Sequence, residues 1–351
     1  MTHVTSAEAG QMSPTLVVAA ESRSMIWNAV AVDQGHVFVA GPRWSGSNGP
    51  SLALLDQQGS TIPFPDAAWN DWRPGADPRH AFVNVNAIHL DNKRSLWAVD
   101  TGSPTFGGDP LTNGAKLVEI ELASGQVKRV VALGPDLALK GSYVDDVRFL
   151  GDFAYLTDAG RAGLIVLNLA TGSRRRVLED SLSTTARPDR PIVVDGKKLL
   201  APDGKPLLVH VDPMELTPDG QWLYFGTLEG PWSKIETRWL NDFSVGPETI
   251  ASKVLPWADL PPVGGTAMDT NGDFYFTALA TNTLMRRAPD GHTTAVVHDK
   301  RLHWVDAPFI DADHMIWLPV PQLDRAAIFN DGTSLIEWPV QLFRLDLGSF
   351  R

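Results

Sequence analysis

With 351 residues, 43% hydrophobic content, 12 Trp and 14 Phe, the chain can bury a large core. A formal net charge of −11 and a pI near 5.2 argue against a nucleic-acid or anionic-membrane partner. There is no Cys, which excludes disulfides, thiol catalysis, iron–sulfur clusters and Cys-type zinc sites.

Residues 1–12 are polar and small and are expected to be disordered. The apolar run Leu16–Ala20 is far too short to span a membrane, and no signal peptide is legible, so the expectation is a soluble protein. Pro14–Ala20 reads as a strand with no hairpin partner of its own. The pattern that organises the rest is clearest at Val83–Gly102, VNVNAIHLDNKRSLWAVDTG: an alternating apolar run, a polar turn, a second apolar run. The same grammar starts at Asn28, Asp146, Asp212 (one residue out of register), Gly264 and Asp306. A further strand of the type small–Leu–x–x–apolar follows most copies, as in SLALLD, KLVEIEL, GLIVLNL, NTLMRR and QLFRLDL.

Two motifs recurring in fixed order at roughly 40 to 50 residues point to an all-β chain, a six-bladed β-propeller of four-stranded antiparallel blades over 13–351. Closure removes exposed sheet edges, so the N-terminal strand is expected to complete the blade holding Gln341–Leu347. Three irregular stretches interrupt the repeats. They are the Gly/Ser/Pro-rich loop 41–50, the Pro- and Trp-rich connection 63–82, and a long insertion, 180–208, with two Asp-Gly turns, expected over one face as a lid. A helical turn is expected around Lys234–Leu240.

The first strand of each propeller blade faces the central channel, so the residues that start those strands converge at one mouth. Here they are Asn28, Asn86, Asp146 with Asp145, Asp212, Gly264 and Asp306. Such a ring has two uses. One is a hard-cation site for Ca²⁺, with Asp146, Asp212 and Asp306 as ligands. The other is a carboxylate whose pKa is raised by like-charged neighbours and which acts as general acid or base. Gly264–Gly265 breaks the ring, either to leave room for a ligand or to permit a tight turn. Asp33, Asp91, Asp219, Asp269 and Asp311 read as turn formers at the opposite end. His303, beside Trp304 and Asp306, is the best-placed histidine for proton transfer. Trp27, Trp44, Tyr143, Trp232 and Trp304 could wall a pocket for an aromatic ligand, with an acidic rim suited to an amine.

These residues resemble the yellow / major royal jelly protein family, in a form of bacterial appearance. The resemblance runs through IPFPDAAWND (62–71), SLWAVDTG (95–102), YVDDVRF and AYLTDAGRAGLIVLNLATGSRRRVL (143–178), and VDPMELTPDGQWLYFGTL (211–228). It continues in MDTNGDFYFTALATNTL (268–284) and LHWVDAPFIDADHMIWLPVPQL (302–323). It implies a six-bladed propeller with a ligand pocket at the channel. Members bind biogenic amines or are associated with dopachrome tautomerisation. The family's acidic positions match Asp145–Asp146, Asp212 and Trp304-Val305-Asp306. Animal members are secreted and disulfide-bonded, and this chain departs from them in having no Cys. A more distant likeness is to gluconolactonase / senescence marker protein propellers, which hold a divalent cation. Here Asn28 replaces their Glu and Gly264 their last Asp.

The function expected is a tautomerase or isomerase acting on an aromatic or indoline-type substrate. Asp146 or Asp212 would move the proton with His303 in reserve, while Asn28, Asn86, Asp145, Asp306, Trp27, Tyr143, Trp232 and Trp304 bind the ligand. No cofactor is required for that chemistry. The alternatives are a Ca²⁺-dependent lactonase and a non-catalytic binder of aromatic amines.

Overall fold

The computed structural model describes residues 15–348; the segment expected to be disordered lies outside them. Six four-stranded antiparallel sheets follow one another along the chain, starting at Ala29–Asp33, Val85–Leu90, Val144–Leu150, Val211–Leu216, Val263–Met268 and Phe309–Ile310. They are the blades of a six-bladed β-propeller, numbered here one to six. The small–Leu–x–x–apolar motifs form third strands, as at Leu52–Leu55, Lys116–Glu121, Gly163–Asn168 and Thr283–Arg287, and the third strand of blade six is Val340–Asp346. Val17–Ser22 pairs antiparallel with Val340–Asp346, from Val17 opposite Arg344 to Ser22 opposite Val340, and supplies the fourth strand of blade six. The last sheet edge is therefore covered by the first strand, as closure requires.

Period-two alternation sends successive side chains to opposite faces of a blade. Ala29 and Ala31 accordingly pack toward blade two with Val85 and Ile88, whereas Val30 and Val32 pack toward blade six with Trp317 and Leu342. The other apolar clusters repeat this between blades two and three, three and four, four and five, and five and six. The core is thus a ring of interblade interfaces. Each fully buried large side chain in it contributes about 1.5–3 kcal/mol.

Asp91, Asp219, Asp269 and Asp311 cap their turns. Asp91 Oδ1 accepts from the amides of Lys93 and Ser95, and its other oxygen holds the Trp97 indole N–H at 2.9 Å. Asp311 repeats this with Asp313, Met315 and Trp317. Asp33 instead pairs with Arg94 at 2.7 Å, because Gln34 and Gly35, both at positive φ, make that turn. The helical turn expected around Lys234–Leu240 is the short helix Thr237–Asn241, preceded by a strand, Trp232–Glu236.

Within the 180–208 insertion, Val193–Val194 and Lys197–Lys198 pair about Asp195-Gly196. The insertion buries Ile192, Val194, Leu199 and Leu207 against Leu228, Leu279, Trp304 and Leu323, which belong to the mouth side of blades four to six. Among the described residues no helix is long and apolar enough to cross a membrane.

Candidate functional site

Irregularities at the mouth end of the inner strands build the site. In blade two the pairing register shifts between Val85 and Ala87, releasing Asn86. In blade three it shifts between Val144 and Val147, releasing Asp145 and Asp146. In blade four it shifts between Val211 and Met214, releasing Asp212 and Pro213, and in blade five between Val263 and Thr266, releasing Gly264 and Gly265. A bulge bends its strand and re-aims a side chain, and here four successive bulges point into one channel.

Buried latches fix where those strands begin. Asp100, closing the SLWAVDTG motif, accepts from the amides of Val83 and Asn84 and from Lys116 Nζ at 2.6 Å. Asp158, closing AYLTDAG, accepts from the amides of Tyr143, Gly160 and Arg161, the Ser142 hydroxyl and Arg176. Each carboxylate thereby holds the entry of the neighbouring inner strand, and a cation balances its charge.

The cavity at the mouth measures about 330 Å³. Asn28, Asn86, Asp145, Asp212 and Asp306 line it at one end, while Trp44, Phe106, Tyr143, Trp304 and Phe329 contribute aromatic walls. Phe106 packs on Trp44, Tyr143 and Phe329 with ring centroids 4.8, 5.8 and 5.4 Å apart. A hydrogen-bond relay descends from this aromatic wall. Trp44 Nε1 donates to Tyr143 Oη (2.8 Å), Tyr143 Oη donates to Asn86 Oδ1 (2.8 Å), and Asn86 Nδ2 donates to Asp145 Oδ1 (2.5 Å). Asn28 Nδ2 also donates to Asn86 Oδ1 at 3.3 Å, while its own buried Oδ1 has no partner. Trp304 is held at φ +53, a left-handed backbone that a bulky residue adopts only under constraint, and its indole reaches Asp306 at 3.3 Å.

Among the described residues no Lys or Arg pairs with Asp145, Asp212 or Asp306. Burial pushes Asp145 well above the ordinary carboxylate range, with Asp212, Asp306 and Asp146 adding to it in that order. Burial likewise raises Asp212, followed by Asp306 and Asp146. The two carboxyls are close enough to act on each other directly, so burial and like charge together disfavour ionising both. Burial brings Asp306 up to about 7, opposed by the Trp304 hydrogen bond. In this carboxyl cluster the protonated forms are favoured over full ionisation.

The ring of sequence-read candidates divides on closer inspection. Asn28, Asn86, Asp145, Asp212, Asp306, Tyr143 and Trp304 meet at the cavity. Asp146, the neighbour of Asp145, opens only on a narrow space deeper in the channel and takes Arg148 at 2.7 Å; Arg148 also forks onto Glu215 at 2.8 and 3.1 Å. His303 does not line the mouth cavity. Its ring nitrogens face Asp195 at 3.2 Å and Asp324 at 2.8 Å, tying the insertion hairpin to blade six. Trp27 and Trp232 are interblade core, the first donating to the Gln341 carbonyl, the second packed on Trp257 and Phe274.

Gly264 and Gly265 are explained by close approach rather than by room for a ligand. A Cβ on either would lie 2.2 Å from the carbonyl oxygen of Val305 or Asp306. Sequence reasoning did not single out Phe106, Phe329 or Leu207, which reach the cavity from loops, nor did it give His210 a role. Among the described residues no group of three His, Cys, Asp or Glu side chains is arranged to hold a metal ion. The Asp146, Asp212 and Asp306 set expected for Ca²⁺ does not fit one, because Asp146 is committed to Arg148.

The family description "Major royal jelly protein" matches residues 83–318. The chain belongs to the major royal jelly protein family. No curated protein matches it. Solved structures with the same fold include a gluconolactonase from Xanthomonas campestris (12% identity, TM-score 0.55, covering 95% of this chain and 89% of that one). Another is a putative gluconolactonase (11%, 0.57, 95% and 92%). A third is virginiamycin B lyase from Staphylococcus aureus (10%, 0.53, 95% and 99%). At these identities the likeness is one of fold.

Proposed function

We propose that this family member is a small-molecule enzyme, a tautomerase or isomerase that moves a proton within an aromatic or indoline-type substrate bound at the channel mouth. The observation that carries the reading is the buried Asp145–Asp212 carboxyl pair at an aromatic-walled cavity of about 330 Å³, a size suited to a small ring system. With one proton shared by the pair, Asp212 in its charged form removes a proton from a C–H or N–H of the substrate. Asp145, carrying the shared proton, delivers it to the other end of the same conjugated system. One proton leaves the substrate and one enters, so the step needs no oxidant, reductant or co-reactant. The Tyr143–Asn86 relay orients Asp145, and Asp306 shapes the field of the pair.

The test is turnover of dopachrome-type and related indoline substrates by Asp145→Asn and Asp212→Asn proteins. A loss of roughly 10²–10⁴-fold in either is expected for a positioned acid or base, with folding intact by circular dichroism. Full turnover in both variants sinks the assignment.

A second reading, a non-catalytic binder of aromatic amines, is favoured by the orphaned Asn28 Oδ1, a buried acceptor on an acidic cavity suited to an amine N–H. Stoichiometric binding of tyramine with no product on long incubation with any substrate tried would select it.

A further inference from the structure

His210 lies two residues before Asp212, immediately ahead of the inner strand of blade four, Val211–Leu216. Both side chains line the cavity, and Asp212 but not His210 also borders the narrow space deeper in the channel, which puts His210 on the rim side. Its ring is held in one state. The Ala186 backbone amide, in the 180–208 insertion, donates to Nδ1 at 3.0 Å, so the ring hydrogen must be on Nε2. Burial pushes its pKa down and keeps the ring neutral; Asp158 and Asp180 oppose this and Arg161 adds to it. The insertion that makes this contact is itself anchored. The Arg187 amide donates to the buried Glu229 at 2.7 Å, and Arg190 donates to the Glu229 carbonyl at 3.0 Å.

Three ring N–H groups line the cavity. Those of Trp44 and Trp304 are spent on Tyr143 and Asp306, while His210 Nε2 has no partner among the described residues. The cavity therefore has proton-handling carboxyls at its floor and one preset, neutral donor toward its rim.

We propose that His210 is a specificity-determining residue whose Nε2–H binds a carbonyl oxygen of the ligand, and that the insertion serves to fix its tautomer and orientation. Resting on the channel-mouth reading above, this narrows the substrate class to ring systems with an acceptor oxygen at the rim-facing end and an exchangeable proton at the floor. A site that holds a donor in fixed orientation discriminates against an analogue that leaves it unpaired.

The matched probes are oxindole and indoline, which differ by one ring carbonyl, titrated calorimetrically into the full chain. One hydrogen bond predicts that oxindole binds the unmodified protein roughly three- to tenfold tighter than indoline. In His210→Ala the preference disappears through weakened oxindole binding alone, and His210→Gln, which keeps a donor, restores part of it. Equal binding of the two probes to the unmodified protein, binding of neither, or equal weakening of both in His210→Ala overturns the proposal. A ligand-independent check is the ¹⁵N spectrum of His210 near neutral pH: the Nε2–H tautomer is expected, and an Nδ1–H tautomer or an imidazolium overturns it. Turnover by the Asp145 and Asp212 variants is measured separately, so failure of the proton-transfer reading is distinguishable from failure of this one.

Discussion

Asp145 and Asp146 are neighbours in the chain and belong to opposite environments. Asp146 meets a guanidinium at 2.7 Å that is also shared with Glu215, and Thr266 caps the same Glu215 at 2.9 Å. Asp145 meets another carboxyl, an amide and an aromatic-walled cavity, with no cation. The latch carboxylates Asp100 and Asp158 follow the Asp146 pattern, each ion-paired with a Lys or Arg. In this fold, compensated acids hold the blades and uncompensated acids sit where chemistry can use them. The cost of burying the latter is met by the rest of the structure, as expected of a functional site.

That contrast can be broken at either end. The largest effect expected is catalytic: the Asp212→Asn protein loses the turnover described above while remaining folded. Next comes Arg148→Met, which strands Asp146 and Glu215 without their cation and is expected to cost about 3–5 kcal/mol, read from urea unfolding. A loss below about 1 kcal/mol would mean that the deep channel is solvated and the two acids are not structurally different.

A smaller effect concerns pH. Asp306 holds its proton up to about 7 in the folded protein but releases it near 3.8 when unfolded. Between those values the folded state binds more protons, so stability falls as pH rises, by up to about 1.4 kcal/mol per unit from this group. The Asp306→Asn protein should show a shallower decline of melting temperature from pH 4 to 7 than the unmodified one; identical slopes would place Asp306 in a solvated setting. The smallest effect expected is none at all: a chelator leaves the melting temperature unchanged, whereas a drop reversed by Ca²⁺ would reveal a cation among the mouth acids.

Much of the architecture was legible because it is written locally and repeatedly. Alternation, Asx-type turns and the small–Leu–x–x–apolar strands each need only neighbouring residues, and six copies make the ring and its closure by Val17–Ser22 readable. Asn28, Asn86, Asp145, Asp212 and Asp306 could be named for the same reason, since each starts an inner strand.

Which of Asp145 and Asp146 faces the cavity was decided by a strand irregularity. Side chains alternate every residue, so neighbours face opposite ways, and Asp212 looked out of register with Asp146 because its counterpart, first in the equivalent bulge, is Asp145. His303, Trp27 and Trp232 lay beside mouth positions in sequence, yet packing turned them to Asp324 and the interblade core. Phe106, Phe329, Leu207 and the Ala186 amide that sets His210 come from loops with no repeat to align. The sequence by itself determined the blades and the acidic ring, because those rest on short-range pattern. Tertiary structure alone decided which acids lack a cation and which loops wall the cavity, because both depend on contacts between residues far apart in the chain.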